Sequence, residues 1–277
     1  MSTEFSQGAP RSPRPEGKAS DRLFTILAMV GVTERRELLK EVYEQARGCV
    51  RCPLHQTRTT VVFGAGNANA DLMFVGEAPG ANEDRLGLPF VGQAGKLLDK
   101  LLGEIGLARE DVFIANTLKC RPPNNRDPHP NEIASCQDYL HRQVALIEPT
   151  VICTLGNFST KLLRGDPTGI SRLHGRDEIR LIGERAVRLY PLYHPAAALY
   201  TPSMLATLRT DFERIPELLA LGPPEQPAQA TEAIEVPEPE WPEAVAAAEA
   251  PESGPPARGE TPGAEAAEAT ALQLGLF

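Results

Sequence analysis

The sequence predicts an α/β domain in which a parallel sheet is covered on both faces by helices, and three observations lead there. Four short apolar runs, at 72–75, 112–115, 151–155 and 187–193, have strand length and are mostly β-branched or aromatic. A helical pattern follows each run, at 92–105, 131–147, 157–163 and 204–219. The runs are also apolar almost throughout, as strands buried on both faces must be.

The elements are flanked by segments of different composition. Residues 1–20 are rich in Ser, Pro, Gly and charge, and are expected to be disordered. Leu23, Ile26, Leu27 and Val30 then have helical spacing, and Leu38, Leu39, Val42 and Tyr43 resume it after an expected break at Gly31. One domain is expected over 21–221. Residues 222–277 hold ten of the 26 prolines among many Ala and Glu, too little apolar surface to offset the entropy of ordering, and read as a disordered tail.

Charge divides the same way. The net charge of -9 seems to argue against a polyanionic partner, but eleven of the 37 acidic residues and only one of the 28 basic ones lie in 222–277. Residues 1–221 therefore carry 26 acidic against 27 basic residues, and a neutral domain with local basic clusters can bind phosphates. No apolar stretch approaches the roughly 20 residues that cross a bilayer. Five cysteines, an odd number without an export signal, suit reduced thiols or metal ligands better than a disulfide framework. A cytoplasmic monomer without a membrane segment is expected.

In parallel sheets ligands bind beyond the carboxyl ends of the strands. The residues just past the four runs are Gly76 and Glu77, Asn116 and Thr117, Gly156 and Asn157, and His194 and Pro195. A carboxylate, a carboxamide and an imidazole thus share one edge. Taken singly each has a bland reading: a solvated Glu, a turn-capping Asn, a structural His.

Cys49 and Cys52 form a C-x2-C pair, and Cys120 and Cys136 follow far downstream. Four thiolates gathered by the fold suit zinc or an iron–sulfur cluster, and softness alone does not choose between them; buried small hydrophobes are the other reading. Cys153, inside the run VICTL, reads as core. Cys120 stands four residues past Asn116, so a metal would tether the loop carrying it, which suggests a structural centre. Lys119, Arg121 and Arg126 cluster on that loop, positioned to meet phosphates, the bland reading being surface charges that do nothing specific.

The cysteine quartet, GEAPGANED at 76–84, LPFVGQAGKLL at 88–98, NTLKCRPPNNR at 116–126 and HPAAALY at 194–200 together resemble the family 4 uracil-DNA glycosylases, iron–sulfur enzymes mostly of prokaryotes. The resemblance covers about 49–220. It implies a three-layer α/β/α sandwich around a four-stranded parallel sheet, and a structural [4Fe-4S] cluster on Cys49, Cys52, Cys120 and Cys136, with zinc as second candidate. It implies a uracil pocket at the strand ends and a partner that is uracil-containing DNA. Ala78 departs from the Gly common in relatives, and Ala196 and Ala197 stand where relatives often carry a bulkier aromatic.

On that reading the base is flipped out of the helix. Asn116 pairs with uracil N3–H and O4, Phe90 stacks on the ring, and Ala78 and Glu83 complete the pocket, Glu83 against C5 where thymine carries its methyl. Glu77 orients or deprotonates water, and His194 donates to O2 of the departing base. The alternatives are a relative that acts on other deaminated bases or stays attached to DNA, a nucleic-acid-binding module without catalysis, and an electron-transfer protein. Asn116 and the lack of an extra His-bearing loop favour ordinary uracil excision.

The chain ends QLGLF. This segment is similar to the motif that binds the bacterial sliding clamp, so Gln273, Leu274, Leu276 and Phe277 are expected to recruit the protein to it, the alternative being a tail helix folded back on the domain.

Overall fold

The computed structural model describes residues 19–227, with side chains from residue 34 onward. The expectations for 1–18 and 228–277, including those for Gln273, Leu274, Leu276 and Phe277, lie outside the described residues. In chain order the elements are α1 (Ala19–Arg47), β1 (Ala65–Gly66), β2 (Leu72–Gly76), α2 (Ala81–Leu86), α3 (Gln93–Glu104), β3 (Phe113–Asn116), α4 (Pro130–Ile147), β4 (Val151–Leu155), α5 (Asn157–Arg164), α6 (Ile170–Leu173), β5 (Glu178–Ile182), β6 (Arg185–Leu192), α7 (Pro195–Ala198), α8 (Pro202–Glu213) and α9 (Ile215–Ala220).

The strands form one sheet in the order β1, β3, β2, β4, β6, β5. The inner four are parallel, and β1 and β5 pair antiparallel at the two edges. The predicted four-stranded parallel sheet is thus the centre of a six-stranded mixed one. Neither edge strand has the apolar run that marks a strand buried on both faces. β1 is two residues long, and β5 (EIRLI) alternates between half-buried and exposed, with Ile179 and Leu181 facing out.

Alternation along the inner strands divides the core in two. Met73, Val75, Phe113, Ala115, Ile152 and Leu189 face one side, where Leu39, Val42 and Tyr43 of α1 and Tyr139, Leu140 and Val144 of α4 cover them. Leu72, Phe74, Ile114, Cys153, Leu155, Tyr190 and Leu192 face the other, under Leu98, Leu101 and Leu102 of α3 and Phe212, Ile215 and Leu218 of α8 and α9. Each such side chain, wholly buried, contributes about 1.5–3 kcal/mol relative to exposure. Cys153 is 0% exposed and belongs to this second core.

Three local expectations are corrected. α1 runs through Gly31 without a break, because one glycine in a helix costs only about 1 kcal/mol, and it begins at Ala19, inside the segment expected to be disordered. The pattern at 204–219 forms two helices, since Pro216 lacks an N–H and its ring crowds the preceding turn, and the chain bends at Arg214. The short helix α2 went unpredicted. Among the described residues no helix is long and apolar enough to cross a membrane.

Candidate active site

Parallel pairing brings the strand ends to one edge. Gly76 lies directly beside Asn116 in the β2–β3 register, as Leu155 lies beside Leu192 between β4 and β6. Beyond the ladder, the N–H groups of Thr117 and Leu118 donate to the carbonyls of Gly76 (2.9 Å) and Glu77 (3.0 Å), so the two exits stay zipped. His194 follows β6 by two residues and packs on Gly156, whose φ of +93° suits glycine and where a Cβ would stand a tight 3.1 Å from the His194 Cβ. Glu77, Ala78, Glu83, Phe90, Asn116 and His194, drawn from four separate stretches of chain, consequently line one cavity of about 400 Å³.

Gly76 is what permits the approach. A Cβ added there would meet Asn116 Oδ1 at 2.4 Å and the Phe90 ring at 2.8 Å, so the amide and the ring both lie against bare backbone. The Asn116 side chain is 2% exposed, and its amide has no protein hydrogen-bond partner among the described residues. A buried amide so placed offers one acceptor and two donors to whatever enters. The Phe90 ring lies 25° from parallel with the His194 ring, centroids 5.7 Å apart.

Phe90 sits in the left-handed region (φ 52°), which is costly for a bulky residue. Its neighbours hold it there. Glu83 Oε1 accepts from the N–H groups of Val91 (3.0 Å) and Gly92 (3.1 Å), and Arg109 donates to the carbonyls of Pro89 and Phe90. Gly95 completes the fit, because a Cβ there would fall 1.7 Å from the Phe90 oxygen. Glu83 thus lines the cavity while one of its oxygens secures the loop.

The titratable groups are tuned apart. Burial, with the negative charge of Asp127 added, raises the Glu77 carboxyl above its ordinary range. Burial lowers His194 to about 4. His194 caps α7, and its Nδ1 accepts from the Ala196 N–H (3.0 Å), so the neutral ring carries its proton on Nε2. The site therefore presents a neutral imidazole whose Nε2–H can donate, in one cavity with a carboxyl that burial and Asp127 bias toward its protonated form.

Of the basic loop residues, Lys119 differs from expectation. Lys119 is 1% exposed, and its ammonium donates inward to the Asn116 carbonyl (2.8 Å) and Gln143 Oε1 (2.6 Å), away from any phosphate. It braces the β3 exit instead. Arg126 reaches the cavity rim but makes a two-pronged bond to the buried Glu132 at 2.9 and 2.6 Å, and Arg121 donates to Asn125.

Cys49, Cys52, Cys120 and Cys136 ring a second, small cavity where the end of α1, the loop after β3, and α4 meet. Among the described residues no three His, Cys, Asp or Glu side chains converge as closely as one ion requires. Burial pushes Cys120 up to about 11 and raises Cys136, whereas Cys49, despite burial, is held below its usual value by hydrogen bonds from Tyr139 and Arg51. Arg58 Nη1 and the Lys119 backbone N–H point at the sulfurs of Cys120 and Cys136, each at 3.3 Å. These N–H donors offset only part of the burial at Cys120 and Cys136, whose thiolates a cationic centre among them would stabilise. Four thiols lining one small cavity are a donor set of the soft kind that zinc or an iron–sulfur group takes.

Comparison with known proteins agrees with this geometry. Residues 63–219 match the family model described as the Uracil DNA glycosylase superfamily. The chain is 48% identical over 187 residues to a type-4 uracil-DNA glycosylase of Archaeoglobus fulgidus, covering 66% of this chain and 94% of that protein. It is 45% identical over 163 residues to the type-4 enzyme of Thermotoga maritima (58% and 83%), and 30% identical over 205 residues to a type-5 uracil-DNA glycosylase of Pyrobaculum aerophilum (62% and 86%).

Sequence reasoning missed Arg109, the bracing role of Lys119 and the close approach that Gly76 permits. An Arg in the short turn between α3 and β3 gives no signal of the carbonyls it reaches, but a Gly ending a buried strand does hint at close approach. Arg109→Met removes the donors to Pro89 and Phe90, and is expected to lower stability by ~2 kcal/mol, read as a shift in the urea midpoint with unchanged slope.

Proposed function

The chain belongs to the uracil-DNA glycosylase superfamily, and from that premise we propose that Glu77, Asn116 and His194, with Phe90 as stacking surface, hydrolyse the bond between uracil and deoxyribose in DNA, leaving an abasic site for base excision repair. The single observation that carries the reading is the shared cavity: an acid, an unpartnered amide, an imidazole and an aromatic ring converge on a space suited to one flipped base.

Each group has a task that its surroundings allow. The Asn116 amide pairs with N3–H and O4 of uracil. Cytosine presents the reverse pattern and would leave buried polar groups unpaired, a mismatch that can discriminate by about 10⁴-fold. Glu83 and Ala78 bound the cavity, with Glu83 against C5 in this reading. As the glycosidic bond breaks, the sugar becomes cationic and the base anionic. Ionised Glu77 orients or deprotonates the water and favours the cationic sugar, while neutral His194 donates from Nε2 to O2 as negative charge gathers there.

Release of free uracil from a single-uracil oligonucleotide tests the assignment. Glu77→Ala and His194→Ala are each expected to reduce the rate by about 10²-fold or more, and Asn116→Ala by a similar factor. Full activity in all three variants would overturn it. The pH profile of kcat/KM has a worked sign: the raised Glu77 must ionise first, so activity falls with acid at a pH above the ordinary carboxylate range. His194, lowered to about 4, contributes no limb near the usual histidine value.

The four cysteines would hold a [4Fe-4S] cluster, with zinc the second candidate. When bound, such a group supplies a structural crosslink among α1, the β3 loop and α4, rather than redox chemistry. Cys120→Ala is expected to lose iron and the brown colour and to lower the unfolding temperature by at least ~10 °C, whereas Cys153→Ala keeps both iron and colour. Equal iron in the two variants would refute the ligand set. Reduced metal-ligating thiols accord with a cytoplasmic monomer.

Recruitment to the bacterial sliding clamp by Gln273, Leu274, Leu276 and Phe277 is supported by the similarity of QLGLF to the clamp-binding motif. The full chain is expected to retain the clamp in a pull-down and a chain truncated after Gly222 to lose it; equal retention would end this reading.

A further inference from the structure

Glu77 and His194 form a wall with a cavity on either side. One side is the base pocket; the other is an open cleft that Glu77 and His194 share with Asp127, Asn157 and Lys161. Asp127 lies on the loop between β3 and α4, and its carboxylate has no ion-pair partner among the described residues. The loop is stiff. Buried Glu132 accepts two bonds from Arg126 and one from the His129 N–H (2.8 Å), and Arg126 also donates to the Asp127 carbonyl (3.0 Å). Asp127 is therefore held between two residues fixed to one buried carboxylate, and Pro122, Pro123, Pro128 and Pro130 restrict the backbone around it.

We propose that Asp127 is a second functional carboxylate of this site, a positioning residue that adds negative charge beside the sugar as the glycosidic bond breaks. The proposal rests on Glu77 acting as the base. A cationic sugar between the two cavities would feel both carboxylates, and a fixed charge several ångströms away at a partly solvated site still stabilises it by a useful amount. The charged groups facing Glu77 are Asp127 from the loop, Lys161 and Asp166 across the cleft, and Arg126 and Glu83 on the pocket side, with neutral His194 adjacent. Of these, Asp127 is the one whose negative charge adds to burial in opposing the ionisation of Glu77.

Two effects of opposite sign follow for Asp127→Asn. With the opposing charge gone, Glu77 ionises more easily, so the acidic limb of the kcat/KM profile moves to lower pH. With the stabilising charge gone, the plateau of kcat falls by ~10-fold. Asp127→Glu, which restores the charge, is expected to recover much of both. The assay is uracil release by the full chain across pH, with Glu77→Ala in parallel. A lowered plateau with an unmoved limb, or no change in either, overturns the proposal, since a merely structural loop residue would leave the limb in place. Wild-type activity in Glu77→Ala would instead remove the underlying reading, and the two failures are thereby told apart.

Discussion

The contact on which the site depends is the meeting of two backbones and two side chains at Gly76. Parallel strands deliver their carboxyl ends to one edge, and the β2–β3 register sets Gly76 beside Asn116. Only a residue without a side chain lets the Asn116 amide and the Phe90 ring close over that strand end. The rest of the site is built outward from this spot. Glu77 is the next residue, its carbonyl tied to Leu118, and the Phe90 loop is held in a costly conformation by Glu83 and Arg109.

The proposed hydrolysis separates charge, and so asks for groups of opposite character near each other that do not neutralise one another. Burial does this here by acting with opposite sign on two chemical types. It disfavours the charged form of both groups, raising the acid Glu77 and lowering the base His194. His194, lowered to about 4, stays uncharged at neutral pH. Because the Ala196 N–H occupies Nδ1, the remaining ring proton sits on Nε2 without any ion pair to fix it. The backbone that begins α7 sets the tautomer.

Much of this was legible before the structure. Strands buried on both faces announce themselves as unbroken apolar runs, so the four inner strands and the polar residues just past them could be read directly. What escaped was set by contacts across long sequence separations. β1 and β5 are edge strands whose half-solvated faces carry no such signal. Lys119 looked like a phosphate ligand because a lysine on a basic loop usually faces water; its partner Gln143, 24 residues on, turned it inward. The Gly31 break and the single C-terminal helix failed for a local reason: a lone glycine weakens a helix and a proline stops one, and the sequence shows which is which only when the two costs are compared.

The loop from Thr117 to His129 joins the two halves of the molecule's chemistry. Its first residues are zipped to the exit of β2, Lys119 braces the Asn116 carbonyl from beneath, and Cys120 lies in the ring of thiols with Cys136 of α4. Its last residues carry Arg126 and Asp127 back to the cavity under the control of Glu132, which α4 also supplies. Both ends of the loop are thus referred to one helix, four residues apart, at Glu132 and Cys136. A catalytic loop so long would cost considerable entropy to order by its own contacts. Anchoring it twice to a single helix ties the segment that carries Asn116 and Asp127 to the same element as Cys136, so a metal group held by the proposed thiol set would brace the candidate site from outside its cavity.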